Sequence, residues 1–175
     1  MSEDPIAAPD TAALPLRSKT VSWQDPQVLA AAGRTLSGLA FLRQMAAGEL
    51  PGPPIAELFG MTIASVEPGD VVFGCEPDES TYNPLGVVHG GLACVLLDTV
   101  AGCAVHSTLP AGAGYTSLEI KVNYLRPIHA GVALTVHGWV TKPGRRAAFA
   151  EGDLRDGDGA LLATASSTCL VFGSG

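Results

Sequence analysis

Positive charge is scarce in this chain: ten Lys and Arg stand against 17 Asp and Glu among 175 residues, a formal net charge of −7. A nucleic-acid surface gathers its cations on one face, and these are scattered, so no nucleic-acid partner is expected. Cysteine is sparse too. Cys75, Cys94, Cys103 and Cys169 have neither CxxC spacing nor disulfide-scaffold density, and they read as buried, reduced thiols of a cytoplasmic protein. The opening MSEDPIAAPDTAALPLRSKT holds acids where an export signal holds Lys or Arg, and no export is expected. Long apolar runs are missing as well. Gly90 to Val105, GGLACVLLDTVAGCAV, carries Asp98 at its middle and falls short of the roughly 18 to 20 apolar residues of a membrane span. It reads as the buried helix of a soluble protein.

Several catalytic signatures are also absent. There is no GxSxG elbow, no HExxH and no Gly-rich phosphate loop, and His106, His129 and His137 lack metal-ligand spacing, so no metal is expected. Asp153, Asp156 and Asp158 in DLRDGDG are out of order for a calcium loop and read as a strand-connecting turn.

What is present has a clear order. Residues 1–22, rich in Ala, Pro and acids, read as a flexible arm, and 23–50 as an N-terminal helix. Asp25-Pro26 supplies a cap and a first-turn proline, and Leu29, Leu36, Leu39, Leu42 and Met45 mark one apolar face closing near Gly48. LPGPP breaks that helix, and Ile55 to Phe59 allow one more turn before Gly60. From there the period shortens. Residues 61–66 and 71–77 form a hairpin about Glu67-Pro68-Gly69-Asp70, and strands are expected over 115–126, 132–142, 145–155 and 160–172. In the first of these Leu118, Ile120, Val122 and Tyr124 alternate with Ser117, Glu119, Lys121 and Asn123, which predicts one buried and one polar face. An α+β domain over 51–175 follows: an antiparallel β-sheet wrapped around a long central helix.

Asp98 is the anomaly in that helix. No Lys or Arg lies three or four residues away to neutralise it, and a carboxylate among apolar residues is costly unless it has a task. A buried acid of adjustable pKa is expected.

The motif N-P-L-G-V-V-H-G-G-x6-D, from Asn83 to Asp98, resembles that of the hotdog-fold acyl-CoA thioesterases, the PaaI-like and 4-hydroxybenzoyl-CoA group. YLRPIHAGVALTVHGWV, leading to a Gly-Arg-Arg turn, is similar to that family's strand pair, and the resemblance covers roughly residues 50–172. It implies hydrolysis of an acyl-CoA thioester, with no cofactor beyond the CoA of the substrate. The residues suit that chemistry on their own terms. Gly90 opens the helix, where N–H groups lack partners and the dipole is positive, so its N–H can polarise a carbonyl. Asp98 would attack that carbonyl or activate a water. Asn83 corresponds to the family's carbonyl- or water-binding amide; it also suits a plain turn residue before Pro84. His89 matches a histidine that orients Asn83 or steadies the departing thiolate, and equally suits a helix cap. By resemblance Ser117 holds the water, with Thr116 the alternative one residue away. Arg126, Lys142, Arg145 and Arg146 are the candidate contacts for CoA phosphates.

Gly90 and Asp98 are eight residues apart, about 12 Å of helical rise, yet both must approach one reacting centre to about 3 Å. Two antiparallel helices about a two-fold axis would pair Gly90 of one chain with Asp98 of the other. A homodimer with interfacial sites is expected, and the resemblance extends this to a dimer of dimers, a homotetramer. Two rival functions are an enoyl-CoA hydratase or dehydratase and a non-catalytic acyl-CoA sensor. The first departs from the sequence because Asn83-Pro84-Leu85 is followed by Gly86 where a D-x-N-P-x-H arrangement has histidine.

Overall fold

The computed structural model describes residues 14–173. Of the predicted arm, residues 1–13 lie outside the described residues. Residues 14–22 carry no secondary structure but are tied down, with Arg17 bonded to Glu79 and Lys19 Nζ 2.7 Å from Asp78 Oδ2.

The predicted N-terminal helix is two helices, α1 (Gln27–Ala32) and α2 (Gly38–Ala46). Asp25 does begin the first, its Oδ1 accepting the Gln27 N–H at 2.9 Å. The apolar spacing continued through Leu36, but Ser37 adopts an extended backbone and its hydroxyl accepts the Ala40 N–H at 3.3 Å. α1 has already closed at Ala32 through a turn at Gly33, and that local capping bond starts a new helix, overriding the periodicity. α3 (Pro54–Phe59) follows and stops at Gly60, whose φ of 63° is left-handed.

β1 (Thr62–Glu67) and β2 (Asp70–Cys75) form the expected hairpin. The long helix α4 (Gly90–Ser107) precedes β3 (Ala113–Tyr124), β4 (Leu134–Lys142), β5 (Ala147–Arg155) and β6 (Leu161–Gly173). Each of these four strands starts within two residues of its expected position. They join one antiparallel sheet in the order β1-β2-β4-β5-β6-β3. β3 therefore crosses over to an edge. The turn reading of Asp156 also holds: its Oδ1 accepts the N–H groups of Asp158 at 3.1 Å and Ala160 at 2.8 Å.

The sheet curls around α4. Ten of the helix's 18 residues are buried, with Leu96, Leu97, Val100 and Val105 nearly without exposure. Glycine sets how closely the layers meet: a Cβ at Gly138 would lie 2.5 Å from the Val100 carbonyl, and one at Gly152 3.3 Å from the Val100 side chain. At the far end Ser107 Oγ accepts the Gly69 N–H at 2.7 Å, tying the helix to the β1–β2 turn.

β3 does not keep its predicted alternation. Its register against β6 shifts between Ser117 and Glu119, a bulge at Leu118. Ile120 and Val122 are half-buried as expected, whereas Leu118 is 60% exposed and Tyr124 57% exposed. The extra residue changes which side chains face the helix on either side of it. Ser117, expected on the polar face, reaches α4 as a result.

Gly138→Ala drives a methyl into the backbone of α4 and is expected to destabilise the protein by about 1–3 kcal/mol, in the range of overpacked cores. Urea denaturation checks this against Gly157→Ala, whose added Cβ meets nothing nearer than 3.9 Å.

Candidate active site

α4 has only one sheet to cover it, so part of its circumference stays open. Gly91, Cys94, Val95 and Asp98 are half-buried along that side. Asp98 lies there, half-buried rather than buried as expected, and it has no cationic partner among the described residues. Ser117 Oγ donates a hydrogen bond to Asp98 Oδ1 at 2.7 Å. Thr116 belongs to the other face of β3, exposed and opposite Leu170, so of the two it is Ser117 that meets Asp98.

The second group of residues gathers where α4 begins. His89 is the N-cap, its Nδ1 accepting the Gly91 N–H at 2.8 Å, which is the capping role the sequence allowed. That bond makes Nδ1 the acceptor and leaves the proton of a neutral ring on Nε2. Gly90 is the first helical residue, and its N–H has no acceptor among the described residues. The Tyr124 ring packs over Gly90, 3.1 Å from where a Cβ would stand, a neighbour that the strand alternation did not reveal. Asn83 also shows the alternative reading. Its Oδ1 accepts the N–H groups of Leu85 at 2.8 Å and Val87 at 3.5 Å, folding the loop, and its NH2 has no partner among the described residues.

Two half-sites thus occur in each chain: Asn83, His89 and Gly90 at the helix start, and Asp98 with Ser117 two turns on. The four cationic candidates are divided in the same way. Arg126 follows β3 and shares a surface hollow with Gly90 and Tyr124. Lys142, Arg145 and Arg146 sit at the β4–β5 turn, level with Leu170 of β6, whereas the Arg126 N–H bonds the Leu162 carbonyl. Eight residues of strand, about 26 Å, separate them.

Beside Asp98 the surroundings are protonated and neutral. Burial pushes the Cys103 thiol up to about 12, against a smaller opposing effect of hydrogen bonding to Tyr115 and with a small addition from the Asp98 charge. Burial also raises the Tyr115 hydroxyl well above its usual range. His106, between the rings of Phe41 and Tyr115 at 5.5 and 5.6 Å, is lowered by burial. None of these was singled out from sequence as a companion of Asp98, because β3 brings Tyr115 beside the helix only in the folded sheet.

Comparison with known proteins finds relatives among the thioesterases. A family model described as the thioesterase superfamily matches residues 85–163. Human acyl-coenzyme A thioesterase 13 is 30% identical over 109 residues, which cover 62% of this chain and 77% of that protein. Among solved structures, a phenylacetic acid degradation-related protein of Ralstonia eutropha JMP134 is 33% identical, with a TM-score of 0.68 over 73% of this chain and 97% of that one. A Streptococcus mutans UA159 protein bound to acetyl CoA is 26% identical, with a TM-score of 0.61 over 65% of this chain and 90% of that one.

The thiol environments have a direct chemical consequence. Burial raises Cys75 to about 11 and Cys103 to about 12, so at pH 8 their reactive thiolates amount to about one part in a thousand and one in ten thousand. Iodoacetamide at pH 8 is expected to leave both unmodified in the folded protein and to label all four cysteines in urea. Mass spectrometry reads the difference, and fast labelling of Cys103 before unfolding would show that water reaches it.

Proposed function

Because the chain belongs to the thioesterase superfamily and is a thioester hydrolase, we propose that it hydrolyses an acyl-CoA thioester at a site completed by a second copy of itself. The observation that carries this is the Asp98 carboxylate held by Ser117 on the open side of α4, with the unpartnered Gly90 N–H eight residues upstream.

In this reading the thioester carbonyl accepts the Gly90 N–H, aided by the helix dipole and by the Asn83 NH2. Asn83 is suited to this because the loop already holds its oxygen, so little orientation is lost when its amide binds. Asp98 takes a proton from a water placed between its free carboxylate oxygen and Ser117, and that water adds to the carbonyl. Collapse of the tetrahedral adduct breaks the C–S bond and releases the free acid and CoA. His89, with Nε2 carrying the proton, faces the departing thiolate.

About 12 Å of helix lies between the two half-sites, and a reacting carbonyl needs both at about 3 Å. An antiparallel pair of α4 helices about a two-fold axis satisfies this. β3 offers an unpaired outer edge of 12 residues beside the same helix, so a second copy can extend the sheet while covering the open side of α4. The same two-fold turns the Arg126 end of one chain toward the β4–β5 turn of the other, which would reunite Arg126 with Lys142, Arg145 and Arg146 around the CoA phosphates. A dimer of dimers remains part of this proposal.

Asp98→Ala is expected to lower turnover at least about a hundredfold while the circular dichroism stays native. Gly90→Pro removes the polarising N–H on a compatible backbone, since proline suits the first helical position and His89 already has the extended backbone that a following proline demands; because any Cβ here stands 3.1 Å from the Tyr124 ring, Gly90→Ala, which keeps the N–H, is the control for that contact. Gly90→Pro should cost roughly a hundredfold or more in kcat. Neither Asp98→Ala nor Gly90→Pro alone has an intact site, yet equal amounts unfolded and refolded together should recover about a quarter of wild-type activity, from one restored site in each mixed dimer. No recovery, with mixed dimers present by mass, would refute the shared site. Thiol release from a panel of acyl-CoAs, with ultraviolet detection of enoyl hydration, separates hydrolase from hydratase.

A further inference from the structure

A cavity of about 310 Å³ opens against α4 on the side away from β3. Met45 of α2, Ile55 of α3, Met61 at the start of β1 and Phe73 of β2 form its apolar walls, and Thr99 and Cys103 of α4 form its floor. Cys103 on this floor is near enough to Asp98 to feel its charge, so the floor lies near the carboxylate. Cys103 remains a neutral thiol there, raised to about 12 by burial. Among the described residues no Lys, Arg or His lines the cavity, and its one charged group is Glu57, an exposed acid.

We propose that this cavity is the acyl subsite, that it takes an uncharged, apolar acyl group of about six to ten carbons, and that Met45 of the N-terminal helix pair sets that size. The inference rests on the acyl-CoA hydrolase reading above. Three observations argue for it. Enclosed apolar space of about 150 Å³ suffices for benzene, so roughly twice that volume accommodates a phenylacyl group or a chain of about eight carbons. The absence of cations gives a second carboxylate on the acyl group nothing to pair with, and Glu57 repels it. Asp98 also lies near that floor, its charge felt at Cys103, so an acyl group seated in the cavity leads its own carbonyl toward that carboxylate. The N-terminal segment thereby gains a role: α2 docks on α4 where Gly38 meets the His106 carbonyl without room for a Cβ, and this fixes Met45 over the cavity.

The test compares kcat/KM for acetyl-CoA, octanoyl-CoA and phenylacetyl-CoA in wild-type protein, Met45→Trp and Met45→Ala. In wild-type protein octanoyl- or phenylacetyl-CoA is expected to exceed acetyl-CoA at least tenfold. Met45→Trp, which fills the cavity, is expected to cut that ratio at least tenfold, and Met45→Ala to keep the preference or extend it to longer chains. Equal loss on all substrates, or no change in the ratio with either variant, overturns the assignment. Calorimetry with S-octyl-CoA, a thioether that cannot be hydrolysed, separates binding from chemistry. Wild-type protein is expected to bind it at least tenfold tighter than CoA, and Met45→Trp to lose that margin. If no acyl-CoA releases thiol but this margin and its loss are seen, the hydrolase reading fails and the cavity assignment stands; if S-octyl-CoA binds no tighter than CoA, the cavity assignment fails.

Discussion

A single sheet covers one side of a helix, and most of this molecule's arrangement follows from that limit. α4 is apolar almost all round, so every turn of it asks for cover. The sheet supplies cover on one side through close contact at Gly138 and Gly152. α2 and α3 cover a second sector but leave the cavity floored by Thr99 and Cys103. The sector between them stays open, and Asp98 lies in it with Ser117 as its one hydrogen-bonding partner among the described residues. The carboxylate is thus neither in bulk water nor sealed in a core. It is held in one orientation by a hydroxyl from the adjacent strand, a geometry suited to proton transfer once another surface displaces the solvent.

The same helix explains why two chemical tasks are separated within one chain. An unpartnered N–H exists only in the first turn of a helix, so in the proposed mechanism the polarising donor has to be at Gly90. A carboxylate in that first turn would compete for the same donors, since acids there are drawn to the positive end of the dipole. Eight residues downstream, Asp98 is free of that competition, at the cost of being out of reach of its own chain's donor. Distance along a rigid helix thereby becomes a demand for a second helix.

Much of this was legible in the sequence because it rests on local rules. Period-two alternation and turn residues located β3 to β6, and the Asp25 cap located the start of α1. Asp98 stood out because a charge without a partner in an apolar run has few structural explanations. What sequence did not reveal depends on single backbone departures and on contacts between distant segments. The Ser37 cap started a second helix on one apolar face, because a hydrogen bond to the Ala40 N–H competes locally with helix continuation. The bulge at Leu118 decided that Ser117 rather than Thr116 meets Asp98, although simple alternation had placed Ser117 on the polar face. Asn83 and His89 show a subtler limit. Each was weighed as either a structural or a chemical residue, yet each uses one atom to fold the loop and leaves another without a partner among the described residues.

Half-covered apolar surface also links folding to assembly. Cys94 and Val95 on α4, with exposed Leu118 and Leu125 near the β3 edge, lose favourable burial in an isolated chain at about 25 cal/mol per Å² of apolar area left in water. A partner that covers this side stabilises the folded state by mass action, so stability rises with protein concentration. In the proposed dimer, the pairing that buries this surface would also bring Gly90 toward Asp98 of the other chain. Surface exposed because the sheet is one-sided and proposed chemistry divided because the helix is rigid would therefore be resolved by the same contact.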